Sequence, residues 1–187
     1  MRRAAFQGAP GAFSHEAVLA LLPDHAPMPH ASFAEVFAAV AAGACERAVV
    51  PVENSSAGPV PEVARLLPTS GLSVEAEAWR PIRLMLLGLP SATLADVRTA
   101  HSHPMALKQC RDALRALGLE PVEAYDTAGA AAELRAAGDL SRAAVASRTA
   151  GEIAGLALLR EDLQDEPDNR TRFLVLAPGR HARSAPA

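Results

Sequence analysis

Short apolar runs alternate with amphipathic stretches along the 187-residue chain, and the spacing of their apolar positions separates strands from helices. Strands are predicted over Ala4 to Gln7, Arg47 to Val52, Leu72 to Ala78, Ile82 to Leu87, Arg98 to His101, Pro121 to Tyr125, Ala143 to Ser147 and Phe173 to Ala177. Between them lie helix patterns. Ser14 is read as the N-cap of one with Val18, Leu21 and Leu22 on its apolar face, and Ser32 with Glu35 has capping-box spacing for a second through Val40. Further helices are predicted over Pro59 to Leu67, from Ser102 to a stop at Gly118, from Asp126 or Thr127 to near Gly138, and over Thr149 to Ala154. Strands alternating with helices predict parallel or mixed sheets flanked by helices, an α/β fold. The break Trp79–Arg80–Pro81 between two strands marks a lobe boundary.

Composition narrows this picture. Half of the residues are hydrophobic but only 4% are aromatic, so the predicted core is aliphatic and alanine-rich, enough for one domain or two small lobes. The 18 basic residues include a single lysine, Lys108, and are scattered in a chain of net charge −3, which argues against nucleic-acid binding. Cys45 and Cys110 have no metal-ligand spacing and read as buried thiols of a reducing compartment. No apolar run is long enough to span a bilayer and no signal-peptide pattern opens the chain, so the expected location is the cytoplasm, with no membrane contact.

Chemistry concentrates where strands give way to helices, because backbone N–H groups and the helix dipole there favour anions. Four such junctions are rich in small and hydroxylic residues: GAPGAFS at Gly8 to Ser14, ENSSAG at Glu53 to Gly58, SHP at Ser102 to Pro104 and DTAGAA at Asp126 to Ala131. A fifth polar stretch, DNRTRF from Asp168 to Phe173, precedes the last strand. Each alone is explained by turns and caps: Asn54 and Ser55 as turn formers, Thr127 as a cap, His103 as a helix-start donor, Glu53 as a salt-bridged carboxylate. GAPGAFS has neither a GxGxxG pattern nor a Walker lysine, no GxSxG elbow accompanies the serines, and His101 with His103 finds no further metal ligands. Taken together, the five stretches predict one donor-lined pocket for a small polyanion.

With these residues in place, the chain resembles the catalytic domain of prephenate dehydratase from Ala4 to Ala177. The motifs AFQGAPGAFSHEA, VPVENSSAGPV, SHPMALKQC, DTAGAA and NRTRFLVLA stand in the family's order. The arogenate dehydratases of plants share them. The resemblance implies two α/β lobes like a type II periplasmic binding protein, each a mixed sheet flanked by helices, with the active site in the interlobe cleft. Lobe 1 would hold about 1–77 plus 161–177 and lobe 2 about 78–160, with a flexible tail over 178–187. The implied activity is decarboxylative dehydration of prephenate to phenylpyruvate, water and CO2 in phenylalanine biosynthesis, without cofactor or metal.

By the same resemblance Thr171 is the catalytic residue, hydrogen-bonding the leaving oxygen. Arg172 would meet a substrate carboxylate or orient the loop, and is preferred over Arg170 because the family keeps TRF as a unit; Phe173 would wall the ring. Ser14, Asn54, Ser55, Ser102, Gln109 and Thr127 fall at substrate-binding or supporting positions. The sequence departs from the family at Met105, where glutamine is usual, at Arg83, where histidine is common, and at Ala12, where threonine is frequent. Neither the regulatory ACT domain that most members carry after the catalytic domain nor phenylalanine feedback through it is expected. Arogenate dehydratase, and a non-catalytic carboxylate-binding module of the same fold, are the alternatives. Resemblance also implies a homodimer.

Overall fold

A computed structural model describes residues 2–179. The described residues divide into two compact units, one built from Ser14–Arg80 with residues 2–9 and 170–179, the other from Pro10–Phe13 and Pro81–Asn169. The first part of the chain runs β1 (Arg2–Gln7), α1 (Phe13–Leu21), β2 (His25–His30), α2 (Phe33–Ala41), β3 (Arg47–Asn54), β4 (Gly58–Pro59), α3 (Pro61–Leu66) and β5 (Leu72–Pro81). The second unit follows with β6 (Met85–Gly88), β7 (Thr99–Ser102), α4 (Pro104–Gln109), α5 (Arg111–Ala116), β8 (Glu120–Glu123), α6 (Thr127–Ala137), β9 (Arg142–Ala146), α7 (Arg148–Ala154) and β10 (Ala157–Arg160). The chain then returns to the first unit as β11 (Arg170–Pro178).

Both units are mixed sheets flanked by helices. The first sheet has the order β2-β1-β3-β11-β5, with β4 on the end of β3, and the second the order β10-β6-β9-β7-β8. β1 lies parallel to β2 and β3, whereas β11 is antiparallel to β3; in the second sheet β7 is parallel to β8 and β9, and β6 antiparallel to β9 and β10.

The central strands are apolar on both faces because both faces are covered. Val50, Leu174 and Leu176 pack with Val36, Val40 and Val63 on one side of the first sheet, and their neighbours Val49, Phe173 and Val175 pack with Phe6 and Val18 on the other. In the second unit Leu84, Leu86, Ala100, Leu114, Val145 and Leu163 form one core. Each fully buried aliphatic side chain contributes about 1.5–3 kcal/mol.

Several boundaries differ from the sequence reading. α1 begins at Phe13, so Ser14 lies in its first turn and is not the N-cap; the turn at Gly11, with φ of 94°, closes one residue earlier than expected. The helix predicted from Ser102 to Gly118 is two helices, broken at Cys110, because the Asp165 carboxylate accepts the N–H groups of Asp112 and Ala113, both at 3.0 Å, and caps a new helix start. The segment 161–169, given to lobe 1 on sequence, belongs to the second unit. Its Leu163 is fully buried there and donates its N–H to Leu84 O at 2.7 Å. β2, absent from the expected strands, pairs along its whole length with β1 although it carries two prolines. Of the tail expected to be flexible, Pro178 closes β11 and the Gly179 N–H reaches Gly71 O at 3.2 Å; the remainder lies outside the described residues. Among the described residues no helix is long and apolar enough to cross a membrane.

Candidate active site

The polar entrance to β11 meets the end of β3. Thr171 stands opposite Asn54 and Arg172 opposite Glu53, and the register then shifts by a bulge before Phe173. The Asn54 side-chain amide donates to Thr171 Oγ1 at 2.9 Å and to Arg170 O at 3.2 Å. Its oxygen accepts the N–H groups of Ser56 at 2.9 Å and Ala57 at 2.8 Å, which fixes the amide's orientation. Ser55 completes the staple: its N–H donates to Arg170 O at 2.9 Å and its Oγ accepts the Arg170 N–H at 3.0 Å. The ENSSAG turn and the NRTRF entrance are therefore one hydrogen-bonded unit.

This arrangement orients a hydroxyl. Thr171 is only 8% exposed, and because its oxygen already accepts from Asn54, its own proton is left to donate. A threonine hydroxyl is a weak acid, suited to hydrogen-bonding a departing oxygen rather than to free proton release.

Arg172 turns away from Thr171. Strand alternation sends it to the face opposite Thr171, where it pairs with Glu53 at 3.2 Å and Glu77 at 3.4 Å. Its guanidinium lies 6.0 Å from the Trp79 ring centre, and that of Arg170 lies 5.4 Å from the same ring. Glu53 is thus a paired carboxylate. Phe173, at 2% exposure, packs in the core with Phe6, Val18 and Val49.

The remaining expected residues divide between the units. Ser14, buried in the first turn of α1, shares the first unit with Asn54, Ser55 and Thr171. Ser102, Gln109 and Thr127 belong to the second. Ser102 is fully buried and donates to Val145 O, linking β7 to β9 beneath the SHP junction. Gln109 closes α4, its carbonyl accepting the Asp165 N–H at 2.7 Å. Thr127 opens α6, which Asp126 caps by accepting the Gly129 N–H. His103 caps α4 as an acceptor, taking the Met105 N–H on Nδ1 at 3.1 Å, and not as the expected donor. Arg83 forms a two-pronged pair with Asp162 at 2.9 and 2.8 Å, and Met105 is exposed on α4.

Sequence reasoning passed over Ser147. Its buried hydroxyl donates to Gly11 O and accepts the Ala150 N–H at 2.9 Å, tying the GAPGAFS loop to the start of α7. Gly11 is needed there, since a Cβ would come within 2.6 Å of Ala150 Cα. A serine just before a short helical pattern was the available signal.

Titration is perturbed away from the Thr171–Asn54 pair. Burial pushes the Cys110 thiol up to about 12, with Asp165 adding to it. Burial holds His101 below the ordinary value of 6.5, assisted by Arg142, and burial does the same to His15, which stacks on Phe6. Among the described residues no cluster of three or more His, Cys, Asp or Glu could hold a metal ion.

Known proteins resemble the chain along nearly its whole length. A family model described as prephenate dehydratase matches residues 4–181. A bifunctional N-acyl-homoserine lactone acylase/prephenate dehydratase of Komagataeibacter europaeus is 44% identical over 171 residues, 91% of this chain and 61% of that protein. A chloroplastic arogenate dehydratase/prephenate dehydratase 1 of Arabidopsis thaliana is 39% identical over 175 residues, 94% of this chain and 45% of the relative. The chain thus spans less than two thirds of the length of either. Among solved structures, a quorum-quenching acylase superposes with a TM-score of 0.88 at 42% identity, covering 99% of this chain and 66% of its own. The prephenate dehydratase of Arthrobacter aurescens, in complex with L-Phe, does so at 0.87 and 28%, covering 94% and 60%. A periplasmic substrate-binding protein of an ABC transporter from Coxiella burnetii, at 0.50 and 13% and covering 98% and 87%, shares the fold.

Proposed function

The chain belongs to the prephenate dehydratase family, and we propose that it converts prephenate to phenylpyruvate, water and CO2 in phenylalanine biosynthesis. In that reaction the bond to the ring carboxylate breaks, its electron pair enters the ring, and the ring hydroxyl departs from the opposite carbon, taking up a proton to leave as water. Aromatisation drives the change, so the protein's part is to hold the ring and stabilise the departing oxygen. Thr171 is assigned that contact. The observation that carries this reading is the 2.9 Å hydrogen bond from Asn54, which makes the Thr171 oxygen an acceptor and leaves its proton available to donate. Ser55 holds the strand entrance, while Arg172, clamped by Glu53 and Glu77, orients the loop instead of meeting the substrate. Ser14, Ser102, Gln109 and Thr127 support or contact the substrate, while Phe173, expected to wall the ring, packs in the core of the first unit.

The deciding experiment is release of phenylpyruvate from prephenate by the purified protein, with Thr171→Val beside it. The variant should keep its fold and lose about 10²-fold or more in kcat. A protein that binds prephenate and leaves it intact would be a carboxylate-binding module and would end the dehydratase reading.

Two relatives supply further readings. The Arabidopsis protein is named for arogenate as well as prephenate, so side-by-side turnover of both substrates belongs in the same assay. The Komagataeibacter protein is also named an acylase, and release of homoserine lactone from an N-acyl-homoserine lactone tests that activity. We further infer that the chain works as a homodimer, which light scattering examines.

A further inference from the structure

Between α4, α5 and the outer strand β8 lies a cavity of about 550 Å³, lined wholly by residues of the second unit. Small-molecule sites commonly occupy roughly 300–1,000 Å³ and are mostly apolar with a few placed charges. None of the residues expected to meet the substrate lines this cavity, and Thr171 and Asn54 belong to the other unit.

Leu107, Leu114 and Leu119 line it from the core of the second unit, where all three are buried. Lys108, Arg111 and Arg115 line it from α4 and α5 and are exposed. The cavity therefore has an apolar floor and a cationic rim. Long basic side chains often cover leucines with their aliphatic stems while the charge stays in water. Stems laid down in that way would fill the space, whereas these border an open volume.

The protein leaves the rim's charge unbalanced. Arg111 pairs with its neighbour Asp112 at 2.9 Å, but Lys108 and Arg115 form no ion pair among the described residues. Glu123 on β8 is the one carboxylate in the lining, set against three cations. Arg111 and Arg115 also stand four apart on α5, a spacing at which like charges destabilise a helix. An anion with an aliphatic body answers both features, its charge relieving the rim and its chain covering the leucines. We propose that this cavity binds a medium-chain aliphatic carboxylate, the chain on Leu107, Leu114 and Leu119 and the carboxylate held by Lys108 and Arg115. The site goes beyond the dehydratase reading and is independent of it.

Calorimetry with decanoate should show one site on the full chain. The affinity should fall about threefold for each methylene removed, through octanoate to hexanoate, and acetate should not bind. Lys108→Glu with Arg115→Glu should weaken decanoate binding about tenfold or more. Arg65→Glu with Arg135→Glu, equal in charge and exposed on α3 and α6, should leave it unchanged. Lys108 is the single lysine, so its acetylation by acetic anhydride can be followed by peptide mass without any substitution. Decanoate should slow that acetylation with the same midpoint as binding, which decides the matter if the glutamate pair fails to fold. No binding of decanoate, an affinity indifferent to chain length, or binding that leaves Lys108 as reactive as before would overturn the site. Equal weakening by the two glutamate pairs would do so too, since it would reduce the effect to net charge. Phenylpyruvate release enters none of these readouts, so their failure leaves the dehydratase reading standing.

Discussion

Asn54 is the residue on which the candidate site turns. Its amide is held at the oxygen by two backbone N–H groups and gives one proton to Thr171, so Asn54→Ala should leave Thr171 in place but its hydroxyl free to rotate. The expected result is a fall of about 10²-fold in kcat with a smaller change in KM, because the loss falls on the transition state. Thr171→Ser, which keeps the hydroxyl, should recover most of the activity missing from Thr171→Val. Equal activity in the serine and valine variants would remove the hydroxyl from the mechanism. Cys110 makes a second, simpler case: with its thiol pushed up to about 12 by burial, it should resist a thiol reagent at pH 8 in the native protein and react once the chain is unfolded. Thr171 was legible as a candidate through the family resemblance, to which the polar DNRTRF stretch at a strand entrance added only that something polar gathers there. The direction of Arg172 was not, since a bulge and an alternation that send it to Glu53 and Glu77 exist only once β3 and β11 are paired.

At the scale of elements, helix starts record where side chains from distant segments reach. Ser147 caps α7 and also binds Gly11, so Ser147→Ala removes both the cap and the buried hydrogen bond to Gly11 O. It should cost about 1–3 kcal/mol in denaturant unfolding, against about 1 kcal/mol for an ordinary cap. A loss below ~0.5 kcal/mol would mean that water replaces the serine. Asp165 acts likewise on α5, and the break at Cys110 was unreadable from periodicity because the apolar positions Leu107, Cys110, Leu114 and Leu117 fit one continuous helix. What ends α4 comes from fifty-odd residues later in the chain. The strands of the two cores were plain by contrast, since Val49, Val50 and Phe173 to Leu176 are apolar at every position, as strands covered on both faces require. β2 was hidden by its prolines, which at an outer strand cost no ladder bond.

For the whole molecule, the return of the chain explains both what the sequence disclosed and what it withheld. The change of unit near Trp79 to Pro81 was visible as a proline between two strands, but the second crossing lies at Asn169 and Arg170, nine residues later than the sequence reading placed it, because burial of Leu163 against Leu84 ties the intervening segment to the second unit. Each unit also holds a histidine that folding makes harder to protonate, His15 in the first and His101 in the second, both lowered from 6.5 chiefly by burial. As the pH falls through 6.5 the unfolded chain takes up these protons before the folded one does, so acid favours unfolding. Stability should therefore be level with respect to these groups above 6.5 and decline below it, toward the lower folded values. Urea midpoints measured across that range should fall on acidification, and the double variant His15→Leu, His101→Gln should show a shallower fall. If the double variant declines as steeply as the parent, the acid sensitivity belongs to other groups, and the two histidines are merely packed.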